Sequence, residues 1–205
     1  MNQLTQKVTE IFAKNPPVAH DIKHALRVSF LAKHIALNEN YDPQIAEITG
    51  LLHDVGRTLQ KEDKDHGPRG IPLARELLNK YTQFDEKTKE EILHAIAIHS
   101  EKFTQGKLAN ILQDADKLDG MGAIGLIRGF THKHSLPDYN PDDIRGNNYK
   151  YPPKTLSEHI KFLLEFENML YTNTAQKIAK PRAEFLKNFL TELQREVEES
   201  TILLK

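Results

Sequence analysis

The chain has 205 residues, of which 39% are hydrophobic and 28% are charged, so it can bury a sizeable core in one large or two small domains. Its 28 basic and 29 acidic residues give a formal net charge of −1, which argues against a general nucleic-acid or membrane-surface binder. It contains no cysteine, which excludes disulfides, thiolate zinc sites and cysteine nucleophiles and leaves only nitrogen and oxygen to hold a metal.

Helical spacing of apolar residues dominates the first part of the chain. Three helices are predicted there: residues 3–14, residues 21–38 and a helix that begins at Pro43. Asp21 and Asp42 are typical N-cap residues for the second and third of these helices. We expect Gly56 to end the third helix.

The rest of the sequence also favours helices, with no convincing strand pattern. Residues 57–70 are interpreted as a polar loop, and residues 131–154 as a long mobile loop. Further helices are predicted over residues 71–81, 86–99, from about 107, 155–171 and 173–199. The prediction is an all-α, single-domain helical bundle over residues 1–205, with a motif core at about 20–130 and C-terminal helices at 155–199. No signal peptide or membrane-length apolar run is visible, so a soluble cytoplasmic protein without a membrane partner is expected.

Several predicted helices carry a histidine or a carboxylate toward the interior. His24 shares a face with apolar residues, His53 and Asp54 follow the apolar pair Leu51–Leu52, and His99 ends another apolar face. A single histidine on such a face is usually an ordinary core residue. Their accumulation indicates a metal site built from facing helices. Imidazole and carboxylate ligands leave Mn, Fe, Ni, Co, Mg or Zn open.

Three aspartates compete for one position in this site. Asp114 and Asp116 flank the predicted buried face of their helix on opposite sides, and Asp119 lies closer to its centre. Periodicity alone therefore does not choose among them. Asp119 is expected to support a ligand or to cap the turn before Gly120.

Five segments, taken in order, resemble the HD-domain metal-dependent phosphohydrolases, and most of all the small bacterial branch with nucleotide pyrophosphohydrolase members. The segments are HDIKHALRV, LLHDVGR, HGPRGIPLARELL, AIAIHS and LQDADKLDGMGAIGLIRGF. The likeness runs from about residue 20 to about residue 190. It implies an all-helical fold, one or two divalent metal ions and hydrolysis of phosphate esters or anhydrides.

The resemblance also implies a ligand set. Its His…His-Asp…Asp pattern falls on His24, His53, Asp54 and Asp116, so Asp116 is preferred to Asp114 on family register alone. A second His-Asp pair, at His20, precedes a helix that Asp21 is predicted to cap. We therefore expect His20 not to be a ligand.

Catalytic roles are assigned to Asp54, His66 and His99, since the two histidines match positions where related enzymes keep histidines. His66 and His99 could bind a second metal, bind phosphate or carry protons. Glu62 or Asp63 is an alternative base. Four cations beside the motifs are the predicted substrate contacts: Arg57, Arg69, Lys117 and Arg128.

The sequence thus predicts a metal-dependent phosphohydrolase acting on a nucleotide or a similar small phosphate compound. The loop at 131–154 is expected to cover the substrate. Two alternatives stay open: a non-catalytic nucleotide- or metal-binding regulatory module, and a cyclic (di)nucleotide phosphodiesterase. A homodimer is also left open.

Overall fold

The computed structural model describes residues 2–59 and 65–203, and this part of the chain is helical with no strand, since its one bridge between Asn140 and Asp143 is isolated. The predicted all-α class is confirmed. The described residues form these α-helices: α1 (Asn2–Lys14), α2 (Ile22–Asn38), α3 (Pro43–Leu52), α4 (His66–Tyr81), α5 (Glu86–Ile98), α6 (Lys107–Asp119), α7 (Gly122–His132), α8 (Leu156–Glu165) and α9 (Asn173–Leu203). Short 3₁₀ helices cover Val55–Thr58 and Phe166–Met169. None of the described helices is both long and apolar enough to span a bilayer.

The predicted starts of α2 and α3 are correct. The Asp21 carboxylate accepts a hydrogen bond from the backbone N–H of His24 at 3.0 Å, and Asp42 accepts one from Gln44 at 2.8 Å. Pro43 occupies the first turn of α3, where its missing N–H costs nothing. These caps fix the start of α2, which carries His24, and the start of α3, which His53 follows.

The predicted end of α3 is wrong, and so is the predicted start of α4. The helix α3 ends at Leu52, four residues before Gly56, which lies in the 3₁₀ helix. A Cβ at Gly56 would lie 1.9 Å from the carbonyl oxygen of His66, so glycine is needed for close approach rather than as a helix stop. The helix α4 begins at His66, within the segment expected to be a loop.

The chain groups into two compact units. The first comprises Met1–Lys117 and Leu170–Ala175, and the second comprises Leu118–Met169 and Gln176–Lys205. In the first unit the buried apolar side chains come from α1 to α6, with Leu4, Val28, Leu51, Ile96 and Leu112 among the fully buried ones. Each unit therefore has its own buried core.

The second unit is built around α7, α8 and α9. Its core contains Leu126, Ile160, Leu163, Leu186 and Leu190. The predicted loop at 131–154 is confirmed except at its start, since residues 131 and 132 belong to α7 and residues 133–155 contain no helix. A hydrogen bond from the Leu156 N–H to the Pro137 carbonyl at 2.8 Å connects this segment to α8. Mobility of residues 131–154 and a covering role for them stay predictions.

A buried histidine in the second unit predicts a pH-dependent stability. His159 on α8 is 8% exposed, its ring stacks near that of Phe162, and its Nδ1 has no hydrogen-bond partner among the described residues. Burial, aided by the positive charge of Lys133 and His132, lowers the pKa of His159 to about 4. The unfolded chain takes up this proton near pH 6.5 and the folded chain only near pH 4. The contribution of neutral His159 to the free energy of unfolding is therefore fully present above pH 6.5 and is lost as the pH falls from 6.5 to 4.

We expect this one group to cost up to about 3 kcal/mol of unfolding free energy over that interval. His159→Gln has no titrating group and should lose correspondingly less stability than the wild type between pH 7 and pH 4.5. Urea unfolding at the two pH values measures the difference. Equal losses in the two proteins would show that His159 is not buried in its neutral form.

Candidate metal centre

Six side chains that the sequence assigned to the site lie in one cluster of the first unit. They are His24, His53, Asp54, His66, His99 and Asp116. Each lies within about one turn of the end of a helix, so the cluster forms where helix ends of α2 to α6 meet. Five of the six are at most 5% exposed, whereas the side chain of Asp116 is 33% exposed.

Close packing of α2 on α3 brings the first two histidines together. A Cβ at Gly50 would lie 2.8 Å from the Cα of Ser29, and the Ser29 hydroxyl donates a hydrogen bond to the Glu47 carbonyl at 2.7 Å. The result is a distance of 3.2 Å between Nε2 of His24 and Nε2 of His53. Glycine at position 50 thus allows the close approach of α2 and α3 that brings the two histidines together.

One half of the cluster surrounds Oδ2 of Asp54. This oxygen lies 3.5 Å from Nε2 of His24 and 3.5 Å from Nε2 of His53. Oδ1 of Asp116 lies 3.3 Å from Nε2 of His24 and 4.0 Å from Nε2 of His53. Two imidazoles and two carboxylates therefore converge on one small region.

The other half of the cluster faces Oδ1 of Asp54. This oxygen accepts a hydrogen bond from Nε of Arg57 at 2.8 Å. It lies 3.3 Å from Nε2 of His66 and 3.7 Å from Nε2 of His99, and these two nitrogens are 2.9 Å apart. Asp54 thus joins both halves through its two oxygens.

Backbone carbonyls fix the tautomers of two of these histidines. Nδ1 of His53 lies 2.7 Å from the Gly50 carbonyl oxygen, and Nδ1 of His99 lies 2.7 Å from that of Ile96. A carbonyl only accepts, so Nδ1 must carry the hydrogen in both rings. In its neutral form each ring then presents the lone pair of Nε2 to the cluster, which is the usual arrangement of a metal-binding histidine.

The donor set fits a divalent cation. Oδ2 of Asp54 is buried and has no hydrogen-bond partner among the described residues, although an unsatisfied buried carboxylate oxygen is costly. The lone pair of His53 Nε2 faces the same region. A cation bound there would complement the oxygen and the nitrogens at once. The cluster could hold such an ion, and its nitrogen and oxygen ligands do not identify the metal.

The electrostatics agree with this interpretation. Burial opposes ionisation of Asp54, but His53 and the other neighbouring histidines, with Arg57, hold the pKa of its carboxyl well below the usual range. Burial lowers the pKa of His53 to about 4 and that of His66 to about 4. Burial also opposes the charged form of His99, but the hydrogen bond and charge of Asp54 outweigh it and raise the pKa of that imidazole. At neutral pH the cluster thus offers an ionised Asp54 carboxylate and neutral His53 and His66 imidazoles, which are protonation states that bind metals.

The structure separates the three aspartates that periodicity left unresolved. Asp116 enters the cluster. The Asp114 carboxylate instead accepts hydrogen bonds from the backbone N–H groups of Tyr171 and Thr172 at 2.9 and 2.8 Å. Asp119 forms a buried ion pair with Arg128 at 3.0 Å. The arrangement is consistent with Asp116 as the ligand, and its role as a ligand stays a prediction.

The four predicted substrate cations have different surroundings. Arg57 binds Asp54, and Arg128 binds Asp119. Lys117 lies 5.9 Å from the ring centroid of Tyr171, and burial lowers the pKa of its amine to about 8. Arg69 is half-buried in the first turns of α4. Their contacts with substrate stay predictions, and Glu62 and Asp63 lie outside the described residues.

His20, which the sequence does not favour as a ligand, lies beside the cluster. Its ring meets that of His24 edge-on at 5.3 Å between centroids, and His20, His24 and Asp54 each offer one ligand atom within 4.8 Å of the others. The pair His20–Asp21 had been interpreted only as a helix start, and the capping role of Asp21 is correct. His20 lies four residues before His24, and this closeness in sequence to a predicted ligand was the available signal.

Comparison with known proteins places the chain in a family. Residues 21–121 match the sequence model of the family described as HD domain. A crystal structure of an HD-superfamily hydrolase from Bacillus thuringiensis superposes with a TM-score of 0.75 at 25% identity, over 96% of each chain. The chain therefore belongs to the HD superfamily.

Two further relatives show how much of the chain the likeness covers. The chain is 26% identical to YpgQ of Bacillus subtilis over 193 residues, which cover 87% of this chain and 84% of YpgQ. The structure of YpgQ in complex with ADP superposes with a TM-score of 0.72 at 24% identity, over 95% of this chain and 93% of that one. Ribonuclease Y of Alkaliphilus metalliredigens is 32% identical over 120 residues, which cover 58% of this chain but only 22% of that enzyme.

Proposed function

We propose that the protein is a metal-dependent phosphohydrolase that cleaves a phosphate ester or anhydride of a nucleotide or a similar small phosphate compound. The observation that carries this proposal is the buried cluster around Asp54, in which one carboxylate oxygen has no hydrogen-bond partner among the described residues. Membership of the HD superfamily supports hydrolysis. The ADP in the structure of YpgQ supports a nucleotide as the ligand.

The proposed metal ligands are His24, His53, Asp54 and Asp116. When bound, a divalent ion would lower the pKa of a coordinated water and polarise a phosphoryl oxygen. The Gly50 carbonyl holds the His53 ring in the orientation that presents Nε2. Asp116 is the most exposed ligand, so the substrate would approach from its side of the cluster.

His66 and His99 are proposed to act on the opposite side of Asp54. Nε2 of His66 is within 3.3 Å of the Asp54 carboxylate, so a proton can pass between these two groups. The Arg57 guanidinium donates to the same oxygen and keeps the carboxylate ionised and oriented. Arg57, Arg69, Lys117 and Arg128 remain the proposed phosphate contacts.

A second candidate, a cyclic (di)nucleotide phosphodiesterase, is favoured by one observation. Both oxygens of Asp54 face a pair of histidines, His24 and His53 on one side and His66 and His99 on the other. With one histidine pair on each side of Asp54, these residues could hold two metal ions, as in two-metal hydrolases.

A substrate screen distinguishes these candidates from a non-catalytic binding module. The metal-free protein is reconstituted separately with Mn²⁺, Co²⁺, Ni²⁺, Mg²⁺ or Zn²⁺ and assayed with nucleoside triphosphates, cyclic dinucleotides and a short RNA, with phosphate and pyrophosphate measured separately. Release from a nucleoside triphosphate supports the first candidate, and linearisation of a cyclic dinucleotide supports the second. Binding of nucleotide with no turnover under any metal would identify a binding module and contradict both.

The choice between the two aspartates gives a direct prediction. Asp116→Asn should reduce kcat/KM by about a hundredfold or more, because a metal-facing carboxylate loses its charge. Asp114→Asn should mainly lower the unfolding free energy, by about 1 kcal/mol, since Asp114 accepts the hydrogen bonds of Tyr171 and Thr172. Steady-state kinetics and urea unfolding of both variants test this. A larger kinetic effect at Asp114 would show that the register is wrong by two residues.

A further inference from the structure

His20 lies at the edge of the metal centre rather than on an unrelated surface. One ligand atom of His20 lies within 4.8 Å of those of His24 and Asp54, and its ring contacts the His24 ring edge-on. Two atoms that each lie about 2.1 Å from one ion are at most about 4.2 Å apart. A small rotation of the ring would therefore bring His20 to the ion that His24 and Asp54 are proposed to hold.

The local backbone orients the His20 ring. Nδ1 of His20 lies 3.2 Å from the Val18 carbonyl oxygen, so Nδ1 carries the hydrogen and the neutral ring leaves the lone pair on Nε2. His53 and His99 use the same arrangement. The exposed His134 has it as well, with Nδ1 at 3.3 Å from the Thr131 carbonyl, so the hydrogen bond by itself does not identify a ligand. What distinguishes His20 is its contact with the cluster.

A strained residue precedes His20. Ala19 has φ 60°, in the left-handed region that a residue with a Cβ rarely adopts. The next residue is His20, and it is followed by Asp21, the N-cap of α2, whose backbone is extended. Strain of this kind persists only where the surrounding structure imposes it, and it is concentrated at functional sites. At this position it sets the direction from which His20 meets α2.

We propose that His20 is a further ligand of the metal ion, which it binds through Nε2 on the solvent side of the centre. This inference rests on the proposed function, since it requires the metal site. His24 and His53 are fully buried, whereas His20 is only half-buried, so His20 is the histidine that an incoming phosphate could displace. The ion would then keep its buried ligands and gain a coordination position for a phosphoryl oxygen.

The test measures metal binding rather than activity. Full-length metal-free protein is titrated with Mn²⁺ by calorimetry, for the wild type, His20→Ala, His20→Asn and the matched control His134→Ala. Visible spectra of the Co²⁺-loaded proteins report whether an imidazole nitrogen has been replaced by oxygen. Circular dichroism confirms that each variant has kept its helices, and the second His20 variant serves if the first is unfolded.

We expect both His20 variants to bind Mn²⁺ at least roughly tenfold more weakly than the wild type and to shift the Co²⁺ bands, with no change for His134→Ala. Binding within twofold of the wild type together with unchanged Co²⁺ bands would overturn the assignment of His20 alone. Failure of the wild type itself to bind Mn²⁺, Co²⁺, Ni²⁺, Mg²⁺ or Zn²⁺, titrated in turn, would instead contradict the proposed function.

Discussion

Replacing Asp54 by Ala is expected to reduce turnover by at least about a thousandfold while leaving the protein helical. Asp54 is the one side chain that both halves of the cluster share. Its Oδ2 faces His24 and His53, and its Oδ1 faces His66 and accepts from Arg57. Removal of the carboxylate would take away a proposed metal ligand and the partner of Arg57 together.

The fold should survive because the same substitution removes a buried negative charge from the metal-free protein. Steady-state kinetics at saturating metal, with circular dichroism as the check on folding, measure both effects. Asp85→Asn is a suitable control, since Asp85 is an aspartate that caps α5 through the Thr88 N–H. More than a few per cent of wild-type activity in Asp54→Ala would exclude Asp54 as a primary ligand.

The parts of the fold that are governed by local chemistry were predictable. Asp21 and Asp42 cap the helices that they were predicted to cap, because an N-cap needs only a short polar side chain and the helix that follows it. His24, His53 and His99 also follow from the sequence, since each follows or lies on an apolar helical face. His66 lies in the segment predicted to be a loop, and only the family resemblance indicated it. Spacing along one helix is information that the sequence contains.

Contacts between distant segments could not be predicted. The start of α4 is rich in glycine and proline, which indicated a loop, yet Pro68 lies in the first turn, where proline is tolerated. Gly67 is required there because a Cβ would lie 2.7 Å from the Ile96 carbonyl oxygen. Packing on α5 thus overrides weak helix propensity.

The aspartates of α6 illustrate the same limit. Asp114 and Asp116 flank one helical face and look equivalent in sequence. Their difference arises from groups far along the chain, since Asp114 meets the backbone of Tyr171 and Thr172, whereas Asp116 meets His24. His20 is not favoured for a related reason, because its neighbour Asp21 explains the segment locally and the proximity of His20 to Asp54 is visible only in three dimensions.

Removal of the metal is expected to abolish turnover and to lower the unfolding temperature. Without a cation, Oδ2 of Asp54 is buried and has no hydrogen-bond partner among the described residues, although it lies 3.5 Å from Nε2 of both His24 and His53. An ion that binds the folded chain and not the unfolded one stabilises it by about 2.7 kcal/mol at a hundredfold excess over its Kd. For a chain of this size that corresponds to a rise of several degrees in Tm.

Thermal unfolding in chelator and in a series of Mn²⁺ concentrations measures this effect, with activity followed in parallel. The wild-type Tm should rise with the metal concentration, and activity should return with it. His53→Ala should show a much smaller rise, because it lacks one of the buried side chains proposed as metal ligands, and replacing the exposed His134 by Ala should leave the rise as in the wild type. If the wild-type Tm were the same in chelator and in Mn²⁺, Co²⁺, Ni²⁺, Mg²⁺ and Zn²⁺ tested in turn, the cluster would not be a metal site. Its unpartnered carboxylate oxygen would then need another source of compensation.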